Sequence, residues 1–222
     1  MFRLGDIADV LVGATPSMAR EPATYLRMSD IGEAGIARSW GAEAPAPSRG
    51  ADIRLRTGDV VVRSKGRELA AALVHPVHSH AYPSADLYVV RLRTKEVDPG
   101  YLVALIRSPS AQQQLSAAVQ GSGLVRLNRE GLARLSIPCP PLEVQARIGQ
   151  LAADAEAEIK IFDELRGLRS RLHTELLQRA LEKARAEDGN PRQELTQGPA
   201  DASAEGSPIH PGKQKGAPNM IT

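Results

Sequence analysis

Cysteine is nearly absent: the 222 residues contain one, Cys139, so no intramolecular disulfide can form. A reducing, cytoplasmic location is therefore expected. No stretch approaches the roughly 18–20 apolar residues that cross a bilayer, so no membrane partner is expected. The opening Met1-Phe2-Arg3-Leu4-Gly5-Asp6 lacks the basic segment and apolar run of a signal peptide. Also missing are a phosphate-cradling glycine loop and a Gly-x-Gly-x-x-Gly after a strand, which argues against nucleotide chemistry in this chain. No Asn-Pro-Pro-Tyr or Asp-Pro-Pro-Tyr segment, of the kind amino-methyltransferases use on a flipped base, occurs. There is no internal repeat, and proline disappears between Leu142 and about Glu187.

What is present suits a globular protein. Hydrophobic residues make up 42% and the formal net charge is +2, which does not by itself demand a nucleic-acid partner. Most of the positive charge is arginine, whose planar fork suits phosphates and guanine edges better than lysine does. Residues 1–141 read as mixed β and α. Leu4 to Val12 alternates irregularly before the breaker Gly13-Ala14-Thr15-Pro16. Strands are expected over Tyr25 to Ile31, Val60 to Val62, Ala70 to Val77 and Leu87 to Leu92. Asp98 with Pro99 starts one helix, carrying Leu102, Leu105 and Ile106 on one face. Ser108 with Pro109 starts a second, bearing Leu115, Ala118 and Val119. Asn128 caps a short turn ending near Leu135. Ile137-Pro138-Cys139-Pro140-Pro141 is rigid and extended.

From Leu142 to about Glu187 the pattern is that of one long helix. Ile148, Leu151, Ala155, Phe162, Leu165, Leu172 and Leu176 fall on heptad a and d positions, with Glu158 and Arg169 interrupting the seam. Some 40 residues of helix extend about 60 Å, and so long a stripe needs another helix against it. Beyond Asp188 the composition turns to Gly, Pro, Ser and Gln, and 188–222 is expected to be disordered. The expected fold class is α+β: a β-rich domain with helical additions over 1–141, a coiled-coil-type dimerisation or spacer helix over 142–187, then a tail.

These elements together resemble the specificity subunits of type I restriction-modification systems. The resemblance rests on Leu4-Gly5-Asp6-Ile7, Gly13-Ala14-Thr15-Pro16, Arg27-Met28-Ser29-Asp30-Ile31, Gly58-Asp59-Val60-Val61-Val62 and Pro99-Gly100-Tyr101-Leu102. Its most specific piece is Leu135-Ser136-Ile137-Pro138-Cys139-Pro140-Pro141-Leu142 followed by Gln145 and Ile148. The resemblance implies a non-catalytic chain that reads double-stranded DNA and directs a DNA adenine methyltransferase subunit, and a restriction subunit where one exists. S-adenosylmethionine, and ATP if there is a restriction subunit, would be bound by those partners. Full-length members carry two target-recognition domains and this chain carries one. It looks like a half-subunit that homodimerises, pairs with a second half, or serves as a lone module in another defence system.

The basic loop Arg63-Ser64-Lys65-Gly66-Arg67 is the first candidate DNA contact, with a solvated charged loop as the plain alternative. Gln120, Ser122, Arg126 and Asn128 form a second candidate group, since Asn suits adenine and Arg suits guanine; Asn128 could equally only cap its helix. Tyr82 and Ser84 could touch sugar-phosphate. His75, His78 and His80 lack a nearby Cys to complete a zinc set, so no metal is expected. Cys139 reads as a small buried filler. Glu158-Ile159-Lys160 imitates a nuclease Glu-x-Lys but lies on the long helix. Two further readings stay open: an assembly protein that oligomerises through the helix without reading DNA, and a cryptic nuclease.

Overall fold

The run Val60-Val61-Val62 is apolar at every position because both of its faces are buried. It belongs to the central sheet of a computed structural model that describes residues 1–17, 21–48, 53–66, 69–117, 119–120 and 126–188, with 119–120 and 187–188 described in backbone only. The chain divides into two compact units, Met1–Arg171 and Leu172–Thr222.

Four antiparallel strands make the central sheet, in the order β2 (Ala8–Val12), β10 (Leu87–Leu92), β7 (Val60–Arg63) and β8 (Ala71–Leu73). Side chains alternate across it. Val60, Val62, Tyr88 and Val90 meet α1 (Leu4–Ile7), α2 (Pro99–Arg107), α3 (Pro109–Ala117) and α4 (Arg129–Ala133) in one core. Val61, Ala72, Leu87 and Val89 enter a second core with Leu26, Ile31, Ile36 and Leu55. That second core lies under β3 (Pro22–Leu26) and the hairpin of β4 (Ile31–Gly32) and β5 (Gly35–Ile36). Strand β3 also pairs with β6 (Ala42–Pro45) and, in parallel, with β9 (Tyr82–Pro83).

The helix starts follow their capping chemistry. The amide of Tyr101 donates to Asp98 Oδ1 at 2.8 Å, and that of Gly131 donates to Asn128 Oδ1 at 2.6 Å. Three expected segments differ. The strand expected from Tyr25 breaks after Leu26. There the Asp30 carboxylate accepts from the Arg27 amide at 2.9 Å and from its guanidinium at 3.0 Å, folding Met28–Asp30 into a 3-10 turn. Burial works against the Asp30 anion, but the bonds from Arg27 and the Gly41 amide, with the Arg27 charge, prevail and hold its pKa below the ordinary carboxylate value. The strand expected over Ala70 to Val77 is only Ala71–Leu73, because Pro76 opens another 3-10 turn, Pro76–His78. Val119 belongs to a strand rather than to α3, and Ala118 lies outside the described residues.

The long helix, α5, runs Leu142–Asp188. Just before it β13 (Ser136–Ile137) pairs with β1 (Phe2–Arg3). The Tyr101 hydroxyl donates to the Pro138 carbonyl at 2.9 Å, holding the proline-rich approach against α2. Gln145, fully buried, fixes the first turns: its Nε2 donates to Glu96 O at 2.9 Å and Pro140 O at 2.8 Å, while its Oε1 accepts from the Asp98 amide at 2.9 Å. One turn on, a Cβ at Gly149 would lie 3.0 Å from the Tyr101 nitrogen and 3.1 Å from the Gly100 carbonyl carbon, so only glycine lets α5 come this close to α2. Further along, Arg107 pairs with Glu156 at 2.7 Å and also donates to the carbonyls of Ala71 and Glu33, joining α2, β8 and the β4–β5 hairpin to α5. The expected tail lies, past Asp188, outside the described residues.

Candidate nucleic-acid interface

The two candidate loops, far apart in sequence, meet at one end of the central sheet. After β7, the Ser64 amide donates to Asp86 O at 2.9 Å, and the Ser64 carbonyl accepts from the Leu127 amide at 2.9 Å. Lys65 and Arg126 then form an antiparallel β-bridge. Strand β12 (Arg126–Leu127) pairs in turn with β11 (Val119–Gln120), placing Gln120 opposite Arg126. A buried hydroxyl secures this hairpin: Tyr88 donates to Leu127 O at 2.9 Å.

Arg126 is exposed. Lys65 is part-buried and pairs with Asp86 at 2.7 Å. Gly66 has φ +131, a conformation a side chain rarely adopts, so the turn of the loop depends on glycine there. Among the described residues, Arg63 Nε and Ser64 Oγ are buried without a hydrogen-bond partner. Asn128 spends its side-chain oxygen on the α4 cap.

Two candidates are not presented to solvent. Ser64 is 1% exposed, because the sheet end closes over it. Tyr82 is 5% exposed; Arg54 Nε donates to its hydroxyl at 2.9 Å and the guanidinium stacks over its ring. Ser84 is half-buried and bridges to Ala14, where a Cβ on the neighbouring Gly13 would collide with the Ser84 carbonyl. Arg67 and Ser122 lie outside the described residues, as does the side chain of Gln120.

Of the three histidines, His78 has a structural role. His78 is buried against the edge of Trp40, and its Nδ1 accepts from the His75 amide at 3.1 Å. Burial, then the charges of His75 and Lys160, push its pKa down. Among the described residues no group of three or more His, Cys, Asp or Glu side chains could hold a metal. Cys139 is exposed rather than a buried filler, because the proline-rich segment runs along the surface. No helix among the described residues is long and apolar enough to cross a membrane.

The heptad stripe on α5 is uncovered. Ile148, at 36%, is its least exposed large member and Leu151, at 69%, the most; Ala155, Phe162, Leu165, Leu172 and Leu176 are exposed too. Gln145, Gly149 and Glu156, which the stripe does not include, pack on the domain, and Glu164 pairs with Arg38 at 2.8 Å. Of these, Gln145 stood in the Pro-Pro-Leu-x-x-Gln motif. Nothing in the sequence singled out the Arg107–Glu156 or Lys65–Asp86 partnerships.

Among solved structures, this arrangement matches the HsdS subunit from Thermoanaerobacter tengcongensis. The two chains are 26% identical, with a TM-score of 0.54 over 87% of this chain and 50% of that one. A chain from a structure describing complex assembly and conformational transition of the type I R-M system gives 25% identity, a TM-score of 0.53 and the same coverage.

The chain has the fold of a type I restriction-modification specificity subunit.

The type I S subunit from M. genitalium shares that fold at 12% identity, with a TM-score of 0.53 over 78% of this chain and 43% of that one. The chain spans about half the length of the specificity subunits it matches. No family model matches the sequence, and neither does any curated protein.

Proposed function

We propose that the chain is a non-catalytic specificity half-subunit, which reads one half of a DNA site and brings a type I adenine methyltransferase subunit to it. The observation that carries this reading is the β-bridge between Lys65 and Arg126, which gathers a basic loop and a recognition hairpin at one sheet end. Gly66 lets the backbone approach a phosphate there, and Arg126 has the fork that suits a guanine edge. Asp86 holds the Lys65 ammonium at the loop until a phosphate takes its place. Two copies, through the uncovered stripe of α5, would supply the two halves of a site. The methyltransferase would bind S-adenosylmethionine, and a restriction subunit, where present, would use ATP.

The experiment is selection of duplexes from a random library by the purified chain, followed by titration across salt concentrations. A selected sequence that holds its preference at moderate salt is the expected result. Lys65→Ala is expected to weaken binding to all duplexes alike and to reduce the slope of log affinity against log salt by about one. Arg126→Ala is expected to cost about 1–3 kcal/mol at one base position and relax the preference there. Binding that ignores sequence and fades with salt would instead favour the second reading, an assembly protein working through its exposed helix stripe.

A further inference from the structure

An acid, Asp86, stands at the basic end of the central sheet, in the turn from β9 into β10. Its backbone is fixed there. The Leu87 amide donates to Ser84 O at 2.9 Å, and Asp86 O accepts from the Ser64 amide at 2.9 Å. The Ser64 carbonyl accepts from the Leu127 amide, and Lys65 bridges to Arg126, so adjacent segments carry Asp86, Lys65 and Arg126 side by side. These bonds use the main chain of Asp86 and leave its side chain aside. Among the described residues, the carboxylate meets Lys65 alone, at 2.7 Å, with the two side chains 41% and 28% exposed. So open an ion pair adds little to stability.

A carboxylate is unfavourable beside DNA, because it meets phosphates and base edges rich in acceptors. In the major groove guanine presents N7 and O6, thymine presents O4, and adenine presents N7 beside its amino group. Cytosine presents only a donor there, its N4 amino group. A carboxylate, which can only accept, therefore fits cytosine and conflicts with the other three bases.

We infer that Asp86 is a specificity-determining residue, whose carboxylate accepts a hydrogen bond from a cytosine amino group in the major groove. This rests on the half-subunit reading and assigns the chemistry of one base in its site. When a phosphate draws the Lys65 ammonium away, the Asp86 carboxylate loses its partner. A cytosine amino group takes the place of the ammonium. Any other base sets an acceptor against the carboxylate and leaves a charge uncompensated in the interface. The Lys65–Asp86 pair thus ties capture of a phosphate to the presence of the right base, which is discrimination by repulsion as well as by attraction.

The test is selection from a random duplex library by the full chain and its variants, then titration of all four bases at each selected position. The wild type is expected to prefer cytosine at one position by about tenfold over each other base. Asp86→Ala is expected to make that position indifferent, and to tighten binding to the other duplexes because Lys65 is no longer held. Asp86→Asn is expected to move the preference to adenine, whose N6 and N7 a carboxamide meets with a paired acceptor and donor. Lys65→Ala is expected to weaken binding yet keep the cytosine preference, which a carboxylate acting only through Lys65 would not allow. Urea unfolding checks that the Asp86 variants fold, and unchanged midpoints are expected because the turn is held by main-chain bonds. If both Asp86 variants bind every duplex more tightly and no base preference changes, Asp86 is only a counter-charge; the inference falls and the half-subunit reading stands. Loss of the cytosine preference in Lys65→Ala overturns the inference in the same way. A wild-type chain that selects no sequence overturns both.

Discussion

Gln145→Leu is expected to lower the free energy of unfolding by about 3 kcal/mol, a large share of what a domain of this size possesses. Leucine is close to glutamine in volume though branched, so little cavity results and the loss is mainly polar. The Asp98 amide loses its acceptor, and the carbonyls of Glu96 and Pro140 lose their donor. Each such orphaned group costs about 1–3 kcal/mol, partly offset by the apolar gain of leucine. Gln145→Glu offers a sharper comparison. It keeps an acceptor for Asp98 but turns a negative oxygen toward two carbonyls, so it is also expected to destabilise despite its near-identical shape. Urea unfolding measures both, with a shifted midpoint and an unchanged slope as the expected signature. A midpoint equal to that of the wild type would show that this network contributes nothing.

Asp59→Ala is expected to cost about 3 kcal/mol. The carboxylate is 2% exposed and accepts from Arg91 Nε at 2.9 Å, from Arg91 Nη2 at 2.7 Å and from the Arg56 amide at 2.8 Å. Removing it takes the carboxylate partner from a guanidinium that is 16% exposed on β10, an inner strand of the central sheet. Breaking one side of a buried pair costs about 3–5 kcal/mol, and the lower end applies because Arg91 keeps its bond to Arg54 O and some contact with water. The double variant Asp59→Ala, Arg91→Leu is expected to be more stable than Asp59→Ala alone, since no uncompensated charge remains. A double-mutant cycle by urea unfolding reads this coupling. Additive losses would mean that the two side chains act independently.

Much of the architecture was legible because local chemistry decided it. Asp98-Pro99 and Asn128 start helices where capping requires, and the proline-free stretch after Leu142 is one helix. The misplaced strand ends share one cause. At Arg27 to Asp30, and again at His75 to His78, a side chain three residues on accepts a backbone amide and closes a 3-10 turn. Alternating hydrophobicity does not report such bonds. At the candidate interface, the residue types of Lys65 and Arg126 were visible, but their meeting was not, because the β-bridge joins residues 61 apart by number. Burial of Ser64 and Tyr82 was equally hidden: a loop position in the sequence says nothing of what the sheet end folds over it. The heptad stripe could be read directly, whereas Gln145, Gly149 and Glu156, which anchor α5 on the domain, carry no hydrophobic signal.

The sheet sealed on both faces has a consequence for how the domain opens. Amide hydrogens along β7 and β10 lie between two cores, so no local fluctuation can bring water to them without dismantling one core. Deuterium should therefore enter Val60–Val62 and Val89–Val90 only through unfolding of the whole unit, at a rate that tracks its global stability. The five-residue helix at Arg129–Ala133, anchored by one side-chain cap, should exchange far sooner. A hydrogen-exchange map would then show a slow central ribbon beside a quick rim, with the β11–β12 hairpin joined to the slow part through Ser64 and Tyr88.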